Sequence, residues 1–123
     1  MKLRVIVAAV LLAAAVFCAC SAYGYLDRQS GRLTAELQTA LQTEGPRLYE
    51  NALAVCARWE RCGPLFCVLI HHNDADALSK DFFILKRYAS EQKEEETRAA
   101  LCNCLADLTV LMEGEKPKFT NFL

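Results

Sequence analysis

The sequence contains almost nothing of the punctuation that accompanies catalysis. Its five glycines and three prolines are scattered, and no glycine-rich run of the kind that cradles a phosphate occurs. No serine or cysteine stands in a recognisable nucleophile motif beside a base. The apolar/polar alternation of a strand is missing, as are internal repeats and low-complexity tracts. An excess of one charge is missing too: 14 basic residues face 15 acidic ones. Beyond residue 26 the balance is 12 basic against 15 acidic, a net charge of −3. Nucleic-acid phosphates call for a basic patch, so this mildly acidic surface excludes them as a partner. No cofactor and no catalytic activity are expected.

What the chain does have is a long apolar run. From Val5 to Cys20 it reads VIVAAVLLAAAVFCAC, and no charge appears before Asp27, a span of 22 residues to Leu26. About 20 residues at about 1.5 Å each cross a bilayer core of about 30 Å, and in lipid a helix satisfies its own backbone. Residues 1–26 are therefore expected to form a transmembrane signal-anchor that contacts the membrane through residues 5–26, with Tyr23 and Tyr25 at headgroup level. A cleaved signal peptide competes with this reading, because Lys2 and Arg4 precede the apolar core and the small residues Ala19 and Ala22 follow it. A lipoprotein signal at Cys20 is a third reading, with Phe17 a poor residue for a lipobox. Lys2 and Arg4 are balanced by Arg28 and Arg32. The short tail and its amine break the tie towards a cytoplasmic N-terminus, so that residues 27–123 lie outside the cytoplasm.

Those residues carry helical periodicity throughout. Leu33, Leu37, Ala40, Leu41 and Glu44 continue a stripe out of the membrane helix, until Gly45–Pro46 ends one helix and opens the next. Tyr49, Ala52, Leu53, Cys56 and Trp59 form a second stripe, which Gly63–Pro64 is expected to kink or break before the apolar turn Leu65 to Ile70. HHNDAD reads as a loop, with Asp74 or Asp76 capping a third helix that is striped by Leu78, Phe82, Leu85 and Ala89. SEQKEEET marks a turn or an acidic first turn, and Leu101, Leu105, Leu108 and Met112 line a last helix that Gly114 and Pro117 close. The fold class is all-α, an anchor helix followed by a small antiparallel bundle or hairpin of about three helices. Such short amphipathic helices bury their stripes only against one another.

Sulfur is abundant, with seven cysteines in the chain. Soft thiolates and imidazoles are suitable metal ligands, and Cys56, Cys62, Cys67 and His71 are the candidate set for a metal or thiol-redox site. Their spacing argues against it, because structural zinc knuckles place two to four residues between cysteines. The gaps here are five and four. At about 100° per residue Cys102 and Cys104 point about 200° apart, and Cys56 and Cys67 share a face but are separated by about 16 Å. Packing is the preferred reading, with Cys56 and Cys104 as small hydrophobes in their stripes. Outside the cytoplasm the five cysteines past the anchor would meet an oxidising milieu, which keeps disulfides open as an alternative. Trp59 reads as a core anchor, and His71 or His72 as a cap at the end of the second helix.

The order of apolar anchor, RWE, LFCVLIHH with an acidic loop, LKRYASEQ, LADLTVLME and the terminal EKPKFTNFL resembles the bacterial domain of unknown function 4363 family. The resemblance is carried by Trp59, Phe66, His71, Leu85, Tyr88, Leu108, Pro117 and Asn121. It implies a short protein, largely from Firmicutes, with an N-terminal membrane segment and a small helical remainder, and it implies no reaction, substrate or cofactor. Gly63–Pro64 and the richness in cysteine depart from the family pattern. The function expected is a non-catalytic interaction or structural module outside the cytoplasm, with a protein partner or self-association. The surface expected to serve it is His71 to Asp76 together with the tail Phe119 to Leu123, an apolar tail that packs either on a partner or on its own helices near Trp59.

Overall fold

The computed structural model describes residues 2–70 and 72–122, and the side chains of these apart from residues 69, 72 and 114–122. They form four helices: α1 (Lys2–Gln42), α2 (Pro46–Leu69), α3 (His72–Ser90) and α4 (Glu94–Phe122). No strand occurs among the described residues. Each helix packs against the next in the chain, α4 closes back on α1, and only α2 and α4 meet across the diagonal. The result is an up-down-up-down bundle with short connections.

Polar pairs fix the antiparallel register. Arg58 on α2 meets Glu36 on α1 at 2.7 Å, and Lys86 on α3 meets Glu60 on α2 at 2.6 Å. Arg98 near the start of α4 donates to the carbonyls of Leu41 and Thr43 at the end of α1, each at 2.9 Å. Counting down α2 from Arg58, the α2–α3 connection at Ile70 lies level with Gly24 of α1, about 18 Å below the Arg58–Glu36 pair at about 1.5 Å per residue.

The bundle has one more helix than the three expected. Leu26, Ser30, Leu33, Leu37 and Ala40 of α1 are all buried, at helical intervals of four and three. α1 is thus a full member of the bundle from Leu26 onward, because that stripe must be covered and α2 and α4 flank it. The helix runs unbroken through residues 26 and 27. Below Leu26 its surroundings change: residues 2–21 are exposed on every face.

The turns have distinct causes. α1 ends where the Thr43 hydroxyl donates to the Ala40 carbonyl at 2.7 Å, and Gly45 then adopts φ 69° and ψ −149°, with Pro46 opening α2. That conformation is essentially reserved for glycine. α3 ends in a paired closure, with Lys93 N–H donating to Tyr88 O and Gln92 N–H to Ala89 O, both at 3.1 Å. Gln92 takes the left-handed position at φ 55°, the place usually given to glycine. Three glutamates in the first turn of α4 then face the positive end of its dipole.

Three boundaries differ from the sequence reading. α2 continues through Pro64 without a break. A proline inside a helix costs about 3 kcal/mol, but here its ring is exposed and Trp59 before it and Phe66 after it bury into the same core. HHNDAD is almost entirely helical: α3 starts at His72, so neither Asp74 nor Asp76 is its N-cap, and Asp74 instead lies in the first turn. α4 passes Gly114 and Pro117 and reaches Phe122.

Candidate functional site

Trp59 organises a region between α2 and α3 where the bundle surface turns inward. It occupies the buried stripe of α2 with Val55, Cys56, Cys62 and Phe66. Its ring stacks on Phe82 of α3 at 5.0 Å between centroids and 12° between planes, and tilts against Phe66 at 5.3 Å and 50°. Each aromatic pair of this kind adds about 0.5–1.5 kcal/mol beyond the area it buries. Gly63, one turn after Trp59, lets the indole lie on the helix backbone. A Cβ at Gly63 would stand 3.1 Å from Trp59 Cε2 and 3.3 Å from its Nε1.

Beside this aromatic floor, α2 and α3 enclose a groove of about 500 Å³, with Cys56, Gly63, Pro64 and Cys67 along one wall and Ser79, Phe82 and Phe83 along the other. Phe83 stands at its lip and is 71% exposed, and Val68, next to Cys67, is 79% exposed. Glu60 and Lys86 bridge the rim. The hydrogen bond that Lys86 donates to Glu60 raises the Lys86 pKa, which keeps that ammonium charged. The groove is an apolar slot with one cation and one anion at its edge, suited to holding an apolar side chain or helix face.

The sulfur is dispersed. Cys56 faces α3, its thiol donating to the Phe82 carbonyl at 3.5 Å. Cys62 is buried near Arg58 and Glu36, towards α1. Cys67 is half-buried in the groove wall, and His71 lies outside the described residues. Among the described residues no cluster of three or more histidine, cysteine or acidic side chains is placed to hold a metal. All seven cysteines are unpaired. Burial, followed by the charge of Glu60, pushes the Cys56 thiol up to about 12. Burial raises Cys62 as well, and burial, then Asp81, raises Cys104. At neutral pH these three are thiols rather than the thiolates that nucleophilic or ligating cysteines need. Cys102 is exposed while Cys104 is buried, as their opposed directions on a helix require.

Of the residues that carry the family resemblance, Trp59, Phe66, Leu85 and Leu108 are core and Tyr88 packs half-buried against it. The side chains of His71, Pro117 and Asn121 lie outside the described residues, as do those of the tail Phe119 to Leu123 and its packing near Trp59. In the expected surface from His71 to Asp76, Asn73, Asp74 and Asp76 are exposed and Ala75 is buried. The sequence reading missed the groove itself. Glu60, Lys86 and Phe83 had no motif to mark them, whereas Gly63 one turn after Trp59 was a signal of close backbone approach. No family model, no curated protein and no solved structure matches the chain.

Proposed function

We propose that this chain is a single-pass, membrane-anchored helical module, without catalytic activity, that offers the α2–α3 groove to an apolar segment of a protein partner outside the cytoplasm. One observation carries the reading. A single unbroken helix is apolar and exposed over residues 2–21 and then buried as a core member from Leu26. It is long and apolar enough to cross a membrane. The register between α1 and α2 supports this reading, because an anchor ending at Leu26 would bring the α2–α3 connection and exposed Val68 close to the headgroups. Membership in the domain of unknown function 4363 family is part of the proposal, supported by the residue order from Trp59 to Leu123.

The cleaved, secreted form is the second reading, and a specific observation favours it. Residues 2–21 are exposed throughout and none belongs to the core of the described residues, so their removal would leave every one of those core residues in place. Carbonate extraction and intact mass of the native chain separate the two. An uncleaved chain retained in the membrane pellet supports the anchor, and a soluble chain lacking its first twenty or so residues sinks it. A photo-crosslinking residue at position 83 tests the groove: a crosslink to another polypeptide supports docking, and none in intact membranes removes it. A metal role for Cys56, Cys62, Cys67 and His71 would require a stoichiometric ion in the purified, metal-replete protein, and a thiol-redox role would require a reversible change in thiol count on oxidation.

A further inference from the structure

The two ends of the bundle differ in chemistry. At the end away from the apolar half of α1 the turns carry exposed charge: Glu44 and Arg47 between α1 and α2, then Glu91, Lys93 and the glutamates that open α4. The α2–α3 corner is at the opposite end. From Cys62 to Asn73, twelve residues in succession, the sequence has no aspartate, glutamate, lysine or arginine. The outer face of α2 changes with it. Glu50, Ala54, Ala57, Arg61, Pro64 and Val68 recur at intervals of four and three, and all are exposed. Charge gives way to apolar surface only below Arg61. Val68 lies nine residues beyond Trp59, about 180° around the helix at about 100° per residue. It therefore points away from the core, and it is 79% exposed.

Two contacts between α1 and α2 set the level of that corner. Asn51 donates to the Thr43 hydroxyl at 3.4 Å, and Arg58 pairs with Glu36 at 2.7 Å. Seven residues down α2, from Asn51 to Arg58, thus match seven residues down α1, from Thr43 to Glu36. Ten more on each helix bring Val68 level with Leu26, the last residue of the uncharged N-terminal span. The apolar tip of α2 and the end of the apolar run on α1 share one plane.

We propose that the α2–α3 corner is a second membrane contact, with Val68 and Pro64 resting at the boundary between headgroups and acyl chains and Arg61 among the headgroups above them. The inference rests on the reading of α1 as an anchor and deepens it. A long basic side chain keeps its charge in the polar layer while its stem covers apolar surface, which suits Arg61 above a valine and a proline. Asp74 limits the depth. It is exposed in the first turn of α3, and a carboxylate is tolerated among headgroups but is costly in hydrocarbon. The corner therefore lies in the interface and does not span it. A bundle held by one helix is free to tilt and to spin about that helix. A second contact, displaced by the helix spacing of about 8–10 Å, removes that freedom and holds the groove between α2 and α3 in one orientation on the membrane.

The test uses the full chain reconstituted in phosphatidylcholine vesicles, with an environment-sensitive fluorescent residue in place of Val68 and, in a separate chain, in place of Glu95 in the charged far turn. The probe at 68 is expected to emit to the blue of the probe at 95 and to be quenched by lipids brominated high in their acyl chains, while the probe at 95 is not quenched. Equal quenching at the two positions overturns the contact. A blue-shifted probe at 68 that the bromines leave unquenched marks cover by protein, a second copy included, and overturns it too. Carbonate extraction of the same vesicles separates this inference from the anchor. A retained chain unquenched at 68 loses the corner contact and keeps the anchor, whereas a released chain loses both. Should the probe disturb folding, the wild-type chain with a lipid carrying a photoactivatable diazirine high in its acyl chain decides the same question. Adducts are expected within residues 62–80, a single tryptic peptide, as well as in the anchor. Adducts confined to residues 5–26 reject the proposal.

Discussion

At the scale of single residues, Gly63 and the cysteines exchange the importance their types would assign. Gly63 is a packing residue by absence: the indole of Trp59 packs on both Phe82 and Phe66, and a new Cβ at 3.1 Å would force it to shift by a few tenths of an ångström against them. Gly63→Ala is expected to lose about 1–3 kcal/mol through overpacking and to regain up to about 1 from helix propensity, for a net loss on denaturant unfolding with a red-shifted Trp59 emission. An unchanged midpoint and spectrum would mean that the ring adapts. For the cysteines, burial decides reactivity. In the folded protein Cys102 is expected to label rapidly with a thiol reagent, while Cys56 and Cys104 label only on unfolding, because they are buried and their thiols are pushed up. Mass spectrometry of the labelled peptides checks the order. The spacing argument from sequence had already separated Cys102 from Cys104. That Cys56 faces α3 and Cys62 lies towards α1 depended on which helices flank α2, and no local pattern encodes that.

At the scale of elements, helix interiors were legible and helix ends were not. Most of each predicted stripe of α2, α3 and α4 is buried, with Ala52, Cys56, Trp59, Phe82, Leu85, Ala89, Leu101 and Leu108 in the core, whereas Leu53 of the α2 stripe is exposed. Gly45–Pro46 ended α1 as expected, since the required backbone angles admit little but glycine. The α3 end was harder to read because Gln92 occupies the left-handed position at φ 55°. Gln92→Gly relieves about 1–2 kcal/mol of left-handed strain and returns part of it as unfolded-chain entropy. A rise in melting temperature is therefore expected, and a fall would show that the glutamine side chain supports the turn. Pro64 was expected to kink or break α2. It does not end the helix because the buried residues on both sides of it belong to one continuous face, and tertiary burial outweighs a local penalty of about 3 kcal/mol.

At the scale of the whole molecule, α1 is a helix with two environments. Its first half is exposed and its second half is a quarter of the bundle, so deletions at different points are expected to behave differently. Removing residues 1–21 should leave a soluble chain with cooperative melting. Removing residues 1–42 takes away Leu26, Leu33, Leu37 and Ala40, with Glu36 and the carbonyl that Arg98 caps, and should abolish it. Circular dichroism of the two truncations checks this, and a cooperatively folded 43–123 fragment would overturn the four-helix account. By itself the sequence determined the helical class, the apolar N-terminal span and most core positions, because hydrophobic periodicity and composition are local properties that any helix must display. Only the tertiary structure decided that α1 completes the bundle and that α2 and α3 part to form a groove beside Trp59. Each of these depends on the register between helices, and register is determined by how side chains distant in sequence pack together.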